Sequence, residues 1–222
     1  MVLNEIKSLF YKELMLEWRQ KYAINGILLY TFSTIFICYL SFNIKNTGIS
    51  HLTWNALFWI IMLFSATSAI AKSFVQENQS RMLYYYTLVS PQGIILSKII
   101  YNLLLMWLLS LLAIGVYSMV LGYPIQDHGL FFINLLLGSL GLSTTLTMIS
   151  AIASKAGNNG ILMAVLSFPI VIPVILMVIK ISKNAIDGIA RSESMDEIIT
   201  LCAINLIVGT LAYLLFPYLW RS

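Results

Sequence analysis

Apolar residues along this chain come in blocks of membrane length, separated by short polar stretches. Continuous apolar runs lie near 24–42, 52–71, 94–121, 130–153, 160–179 and 198–220. Each meets the requirement of about 20 residues for a helix crossing the hydrocarbon core. The polar-apolar alternation of a membrane barrel strand is missing. Length and pattern therefore predict an all-α polytopic membrane protein with six transmembrane helices. An even number of spans leaves both chain ends on one side. Ahead of the first run, Leu3, Ile6, Phe10, Leu14 and Trp18 recur at helical spacing, with Lys7, Lys12, Arg19 and Lys21 elsewhere on the wheel. That pattern predicts an N-terminal interfacial amphipathic helix over residues 1–22. It admits two readings, a passive anchor or a connecting helix that passes force into the first span. Glu5, Glu13 and Glu17 interrupt its apolar positions, so it does not read as a cleavable signal peptide.

The longest polar interruption in the first two-thirds of the chain is SFVQENQSRMLYYYTLVSPQG, Ser73 to Gly93. Residues 73–88 can form a short helix that stops before Pro91, because a residue preceding proline is pushed out of the helical region. Phe74, Leu83 and Leu88 supply apolar contacts, and Glu77 and Arg81, four apart, supply a polar edge. Tyr84, Tyr85 and Tyr86 suit the headgroup zone. As structure this is an amphipathic loop with an aromatic anchor. As function it is a docking knob.

Composition agrees with the pattern: 222 residues that are 59% hydrophobic and 10% charged, with a mean hydropathy of +0.87, cannot all hide in one soluble core. A mass of 25.0 kDa suits one bundle of spans. No polar stretch is long enough for a second domain, so residues 1–222 are expected to form a single transmembrane domain. Charge then orients it. With the termini inside, Lys7, Lys12, Arg19, Lys21, Lys72, Arg81, Lys98, Lys155 and Arg221 are cytoplasmic, and Lys45, Lys180, Lys183 and Arg191 are outside. The excess places both termini in the cytoplasm. The net charge of +4 reads as topology and anionic-lipid contact, since no clustered basic face suggests nucleic acid.

Reaction chemistry is hard to build from these residues. There is no paired-carboxylate site, no His-Glu-x-x-His, no Gly-x-Ser-x-Gly elbow and no phosphate-binding loop. The spans as drawn hold no ionisable group away from their ends. The chain is expected not to be an enzyme. Cys38 and Cys202 fall inside spans, as small apolar fillers. His51 and His128 fall at the outer face, after the first and third spans. Neither has a metal-ligand neighbour in sequence, so no metal site is expected. Each is either a candidate haem ligand or a solvated loop residue. The fourth span is rich in Gly138, Gly141 and hydroxyl residues, which allows close helix approach. The fifth carries FPIVIP, placing Pro169 and Pro173 on one face, where each removes a backbone donor. They make either a static kink or a weak point at which the bundle can rearrange.

The whole pattern resembles the CcmB family, haem exporter protein B, the membrane permease subunit of the ATP-binding-cassette machinery for cytochrome c maturation. The resemblance rests on the N-terminal helix with YKEL, the six-span plan, LVSPQGIILSK (Leu88 to Lys98), and the small-residue segment from Leu135 to Leu176 with its proline pair. It implies a subunit of the bacterial inner membrane, working with a separate CcmA-like ATPase, a CcmC-like haem-handling protein, a small CcmD-like subunit, a CcmE-like periplasmic chaperone and a second copy of itself. Haem would be cargo, with no tightly bound cofactor, and ATP would act only through the partner. ATP hydrolysis would drive either haem export or release of the loaded chaperone. The second loop would be a cytoplasmic coupling helix, with Phe74, Glu77, Arg81, Leu83 and Pro91 as its contact residues. That loop departs from the family pattern in having no glycine between Phe74 and Pro91, and in placing Arg81 near an expected acid. Two other readings fit the same residues: an ABC-2-type permease exporting a lipid, polysaccharide or drug, and a structural assembly subunit that transports nothing.

Overall fold

The computed structural model describes residues 2–19, 21–43, 49–70, 73–74, 89–155 and 159–221. It is all-helical among these residues. The order is α1 (Val2–Arg19), α2 (Lys21–Asn43), α3 (His51–Ile70), α4 (Pro91–Leu121), α5 (His128–Ser154), α6 (Asn159–Asp187), a 3-10 turn (Arg191–Ser194) and α7 (Met195–Arg221). Helices α2 to α7 contain six stretches long and apolar enough to cross a membrane. Successive spans reverse direction, so one end of the bundle carries both termini. We call it the terminal end and its opposite the distal end.

Local sequence explains where these helices start and stop. Ser90 caps α4 by accepting the Gly93 N–H at 3.2 Å, and Pro91 occupies the first turn, where its missing N–H costs nothing. Asp127 caps α5 through the Leu130 N–H at 3.0 Å. Gly122 and Gly188 follow α4 and α6 with φ of +85° and +67°, a region that residues with a Cβ rarely occupy. Several helices outrun the apolar blocks. Helix α6 continues to Asp187, eight residues beyond the expected end of the fifth span, carrying Lys180 and Lys183 on its last turns. A helix does not need to stop where hydrophobicity stops, because its backbone bonds are as well made in the headgroup layer as in the hydrocarbon.

Helix α5 forms the centre. It packs most extensively on α6, and also on α4, α7 and α3. Burial covers 72% of its spanning window, against 11% for α2 at the rim. Its small residues permit this contact. A Cβ on Gly138 would stand 2.7 Å from the Trp59 ring, and one on Gly141 would stand 2.8 Å from Val174 and 2.7 Å from the Asn205 amide oxygen. Helix α6 runs without interruption through Pro169 and Pro173, both on its exposed face beside Phe168, Ile172 and Leu176. Each proline lacks an N–H, so the carbonyls four residues earlier, at Val165 and Pro169, lose their helical donor. The weakened seam of α6 therefore faces away from the core.

The N-terminal helix has a direction that periodicity alone did not supply. Helix α1 runs parallel to the first three turns of α4: Glu5 lies level with Ser90, Glu13 with Lys98 and Glu17 with Tyr101. Helix α4 has 31 residues, hence about 46 Å at 1.5 Å per residue. That exceeds a hydrocarbon core of about 30 Å. Residues 103–121 are nearly all apolar, whereas Gln92, Ser97, Lys98 and Asn102 stand before them, so α1 flanks the part of α4 at headgroup depth. Its outward face presents Lys7, Tyr11, Leu14, Met15, Trp18 and Arg19, the mixture of apolar and basic groups that a lipid interface accommodates.

Candidate functional site

At the terminal end, the two chain segments that flank residues 75–88 meet α1, α4, α5 and α7. Lys98, 2% exposed, lies at the centre. Its ammonium donates to the Ser73 carbonyl at 2.6 Å and to Glu13 Oε1 at 3.2 Å, and stands 4.8 Å from the centroid of the Phe74 ring. One turn on, Asn102 Nδ2 donates to Thr147 Oγ1 on α5 at 2.8 Å and to Ser73 Oγ at 3.3 Å. Phe74 packs on Phe216 of α7 with centroids 5.5 Å apart, and Phe216 stacks on Trp220 at 5.6 Å. The Lys155 ammonium, from the turn after α5, lies 5.9 Å from the Trp220 ring.

The carboxylates of α1 complete this end. Glu5 accepts from the Ser90 hydroxyl at 2.7 Å and from its N–H at 3.2 Å, and these bonds hold the carboxyl below the usual range. Burial by itself would raise Glu13, but the Lys98 and Lys12 ammonium groups outweigh it, and Glu13 stays ionised below its ordinary value. Glu17 goes the other way. Burial pushes it up, the Tyr101 hydroxyl bond opposes this, and the like charge of Glu13 adds to the rise. A buried lysine is tolerated because its charge is matched by a carboxylate, a carbonyl dipole and an aromatic face.

The distal end is built differently. Trp59 Nε1 donates to Ser182 Oγ at 2.7 Å, and Asn134 Nδ2 donates to the same oxygen at 2.6 Å and to the Val178 carbonyl at 2.8 Å. Asn55 reaches the Ile179 carbonyl at 2.8 Å. Trp54, Phe58, Tyr117 and Phe131 fill the space beside them. At the surface, Arg191 grips Asp127 through two bonds of 2.6 and 2.7 Å, while the Gln126 and Asp127 N–H groups donate to the Ala185 carbonyl. The Arg191 bonds, together with the Leu130 N–H, hold Asp127 far below the usual carboxylate range.

The residues expected to dock a partner divide under this geometry. Phe74 is 2% exposed and buried against Lys98 and Phe216, which anchors this end of the loop to the bundle. Glu77, Arg81 and Leu83, with most of the expected coupling helix, lie outside the described residues. Pro91 serves as the start of α4. His51 and His128 are exposed at the distal ends of α3 and α5, and the His128 ring contacts only Tyr123 and the Gln126 carbonyl among the contacts seen. Among the described residues no three His, Cys, Asp or Glu side chains converge as a metal site would require. Glu5, Glu13, Ser73, Lys98 and Asn102 were missed by sequence reasoning. Lys98, in the sequence an orienting charge at a span end, lies buried. The signal was the four-residue spacing of Glu5, Leu9, Glu13 and Glu17, a stripe opposite the exposed Tyr11, Met15 and Trp18.

A helical bundle with six helices long and apolar enough to cross a membrane has the build of a multi-pass membrane protein. The comparison with protein families gives the same answer over nearly the whole length. The family described as CcmB protein matches residues 4–218, and the chain belongs to that family. No curated protein matches it. Family membership makes it an ABC permease subunit in cytochrome c maturation, a member of a complex with an ATPase partner.

Proposed function

We propose that this chain transmits ATP hydrolysis in a separate CcmA-like subunit to haem delivery on the far side of the inner membrane, beside CcmC-like and CcmD-like subunits and a second copy of itself. Delivery would end on a CcmE-like chaperone, with haem as cargo. The powered step is either export of haem or release of the loaded chaperone. The observation that carries the reading is the CcmB family match over residues 4–218. It is supported by the terminal end, where the segments on either side of residues 75–88 are bound to α4 by Lys98, to α1 by Glu5 and to α7 by the Phe74–Phe216 contact. The terminal end is then cytoplasmic, in keeping with the excess of Lys and Arg there. Leu83 would enter an apolar groove on the ATPase, with Glu77 and Arg81 as rim contacts that steer more than they bind.

Leu83→Asp tests this directly. A carboxylate buried without a partner costs several kcal/mol, so the variant should insert into membranes yet lose the ATPase in a detergent pull-down. Retention of a full complement of ATPase would remove the loop from the coupling path. Cysteines introduced near residues 45, 127 and 190 should react with an impermeant reagent in intact cells. Reaction only after permeabilisation would reverse the topology.

A further inference from the structure

Residues 75–88 lie outside the described residues, and the segments on either side of them, the two feet of the loop, are both tied to α1. At the outgoing foot, Glu13 holds Lys98, whose ammonium also holds the Ser73 carbonyl. At the returning foot, Glu5 holds the hydroxyl and N–H of Ser90. Both contacts lie on one stripe of α1, eight residues apart, facing partners eight residues apart on the adjoining α4 segment. Because the two helices run parallel, sliding or lifting α1 breaks a charge-assisted bond at each foot.

Stability does not explain the lysine. A buried ion pair replaced by apolar groups of like volume is often neutral or stabilising, whereas removing one partner is costly. What the pair supplies is direction, since a Lys that must meet one carboxylate and one carbonyl together fixes the register of three segments. From there Asn102 reaches Thr147 on α5, and Phe74 reaches Phe216 on α7. We propose that Glu5, Glu13 and Lys98 form a two-point clamp through which α1 and both feet of the loop move as one body, with Lys98 as the positioning residue that carries loop displacement into the bundle. This rests on the reading of the chain as coupled to an ATPase.

The test uses the whole complex in its membrane. Lys98→Met and Glu13→Gln should each lower holo-cytochrome c per molecule of this subunit by about tenfold or more, because the first cuts the tie between Glu13 and the Ser73 carbonyl and the second removes the carboxylate charge beside a buried ammonium. The ATPase should stay bound, and ATP turnover should change by less than about twofold, a split that a merely structural defect would not give. Glu5→Gln preserves shape and keeps a neutral bond about half as strong, so it should lose about threefold. It also covers the case in which the Lys98 variant fails to accumulate. Normal cytochrome yield in Lys98→Met, or ATP turnover falling in step with yield, overturns the clamp. If Leu83→Asp keeps the ATPase bound, the coupling reading falls first. If Leu83→Asp releases it while Lys98→Met and Glu5→Gln are silent, only the clamp falls.

Discussion

The two ends of the bundle bury polar groups for different purposes. At the distal end the bonds among Trp59, Asn134, Asn55 and Ser182 are between neutral groups, and the two ion pairs there, Asp127–Arg191 and Glu197–Lys180, each keep an exposed cation, although Glu197 itself is buried. At the terminal end a full charge, Lys98, is buried between helices beside the loop feet. Neutral bonds inside a membrane bundle contribute modestly and locally, about 0.6 kcal/mol on average. A buried charge is expensive to separate from its partner and holds its neighbours in one register. The distal end therefore behaves as a fixed cap, and the terminal end as a joint whose parts are constrained to move together.

The largest expected effect comes from the floor common to both ends. Gly138→Leu would drive a side chain into Trp59 and Val178, where a Cβ already stands at 2.7 and 3.0 Å. Overpacking of this kind costs about 1–3 kcal/mol or more, so the variant should fail to accumulate in membranes, as immunoblotting would show. Next, Trp59→Phe removes one donor to Ser182 and leaves a single, smaller ring in place of the indole. It should lower the midpoint of thermal unfolding in detergent by the equivalent of about 1 kcal/mol, with cytochrome maturation per folded molecule unchanged. Lys98→Met should differ in the second readout, with maturation per folded molecule lost. Equal behaviour of the two variants would erase the distinction between cap and joint.

A smaller effect is expected at Asp127. Replacement by alanine removes a helix cap, at about 1 kcal/mol, while the exposed Arg191 pair adds little. Because the folded carboxyl lies below its unfolded value near 4, the contribution is complete above that value and is lost as pH falls from there toward the folded value. The stability gap between the native chain and Asp127→Ala should hold from pH 8 to about 5 and narrow only below about 4. The smallest effects belong to the histidines. His51→Ala and His128→Ala, both exposed, should each change stability by less than about 0.5 kcal/mol, with holo-cytochrome yield retained. Loss of holo-cytochrome at normal protein level would make that histidine a haem ligand.

By itself the sequence determined the class, the six spans and the family, because each rests on a local or additive property. Runs of about 20 apolar residues need a membrane, and lysine and arginine excess is a sum over loops. The run from Leu135 to Leu176 carries its small residues and its proline pair in plain order. Tertiary structure decided which of several chemically similar residues matter. Phe74 reads as a docking group in an amphipathic loop, but the ring of Phe216, 142 positions later, buries it. Lys98 reads as one orienting charge among many until Glu13, 85 residues earlier, is brought within 3.2 Å of it. The prolines of α6 read as a kink, and only helix packing turns them outward. Periodicity reports which face of a helix is unlike the others. Which partner that face meets is set by contacts far apart in sequence, where the pattern of a single helix holds no information.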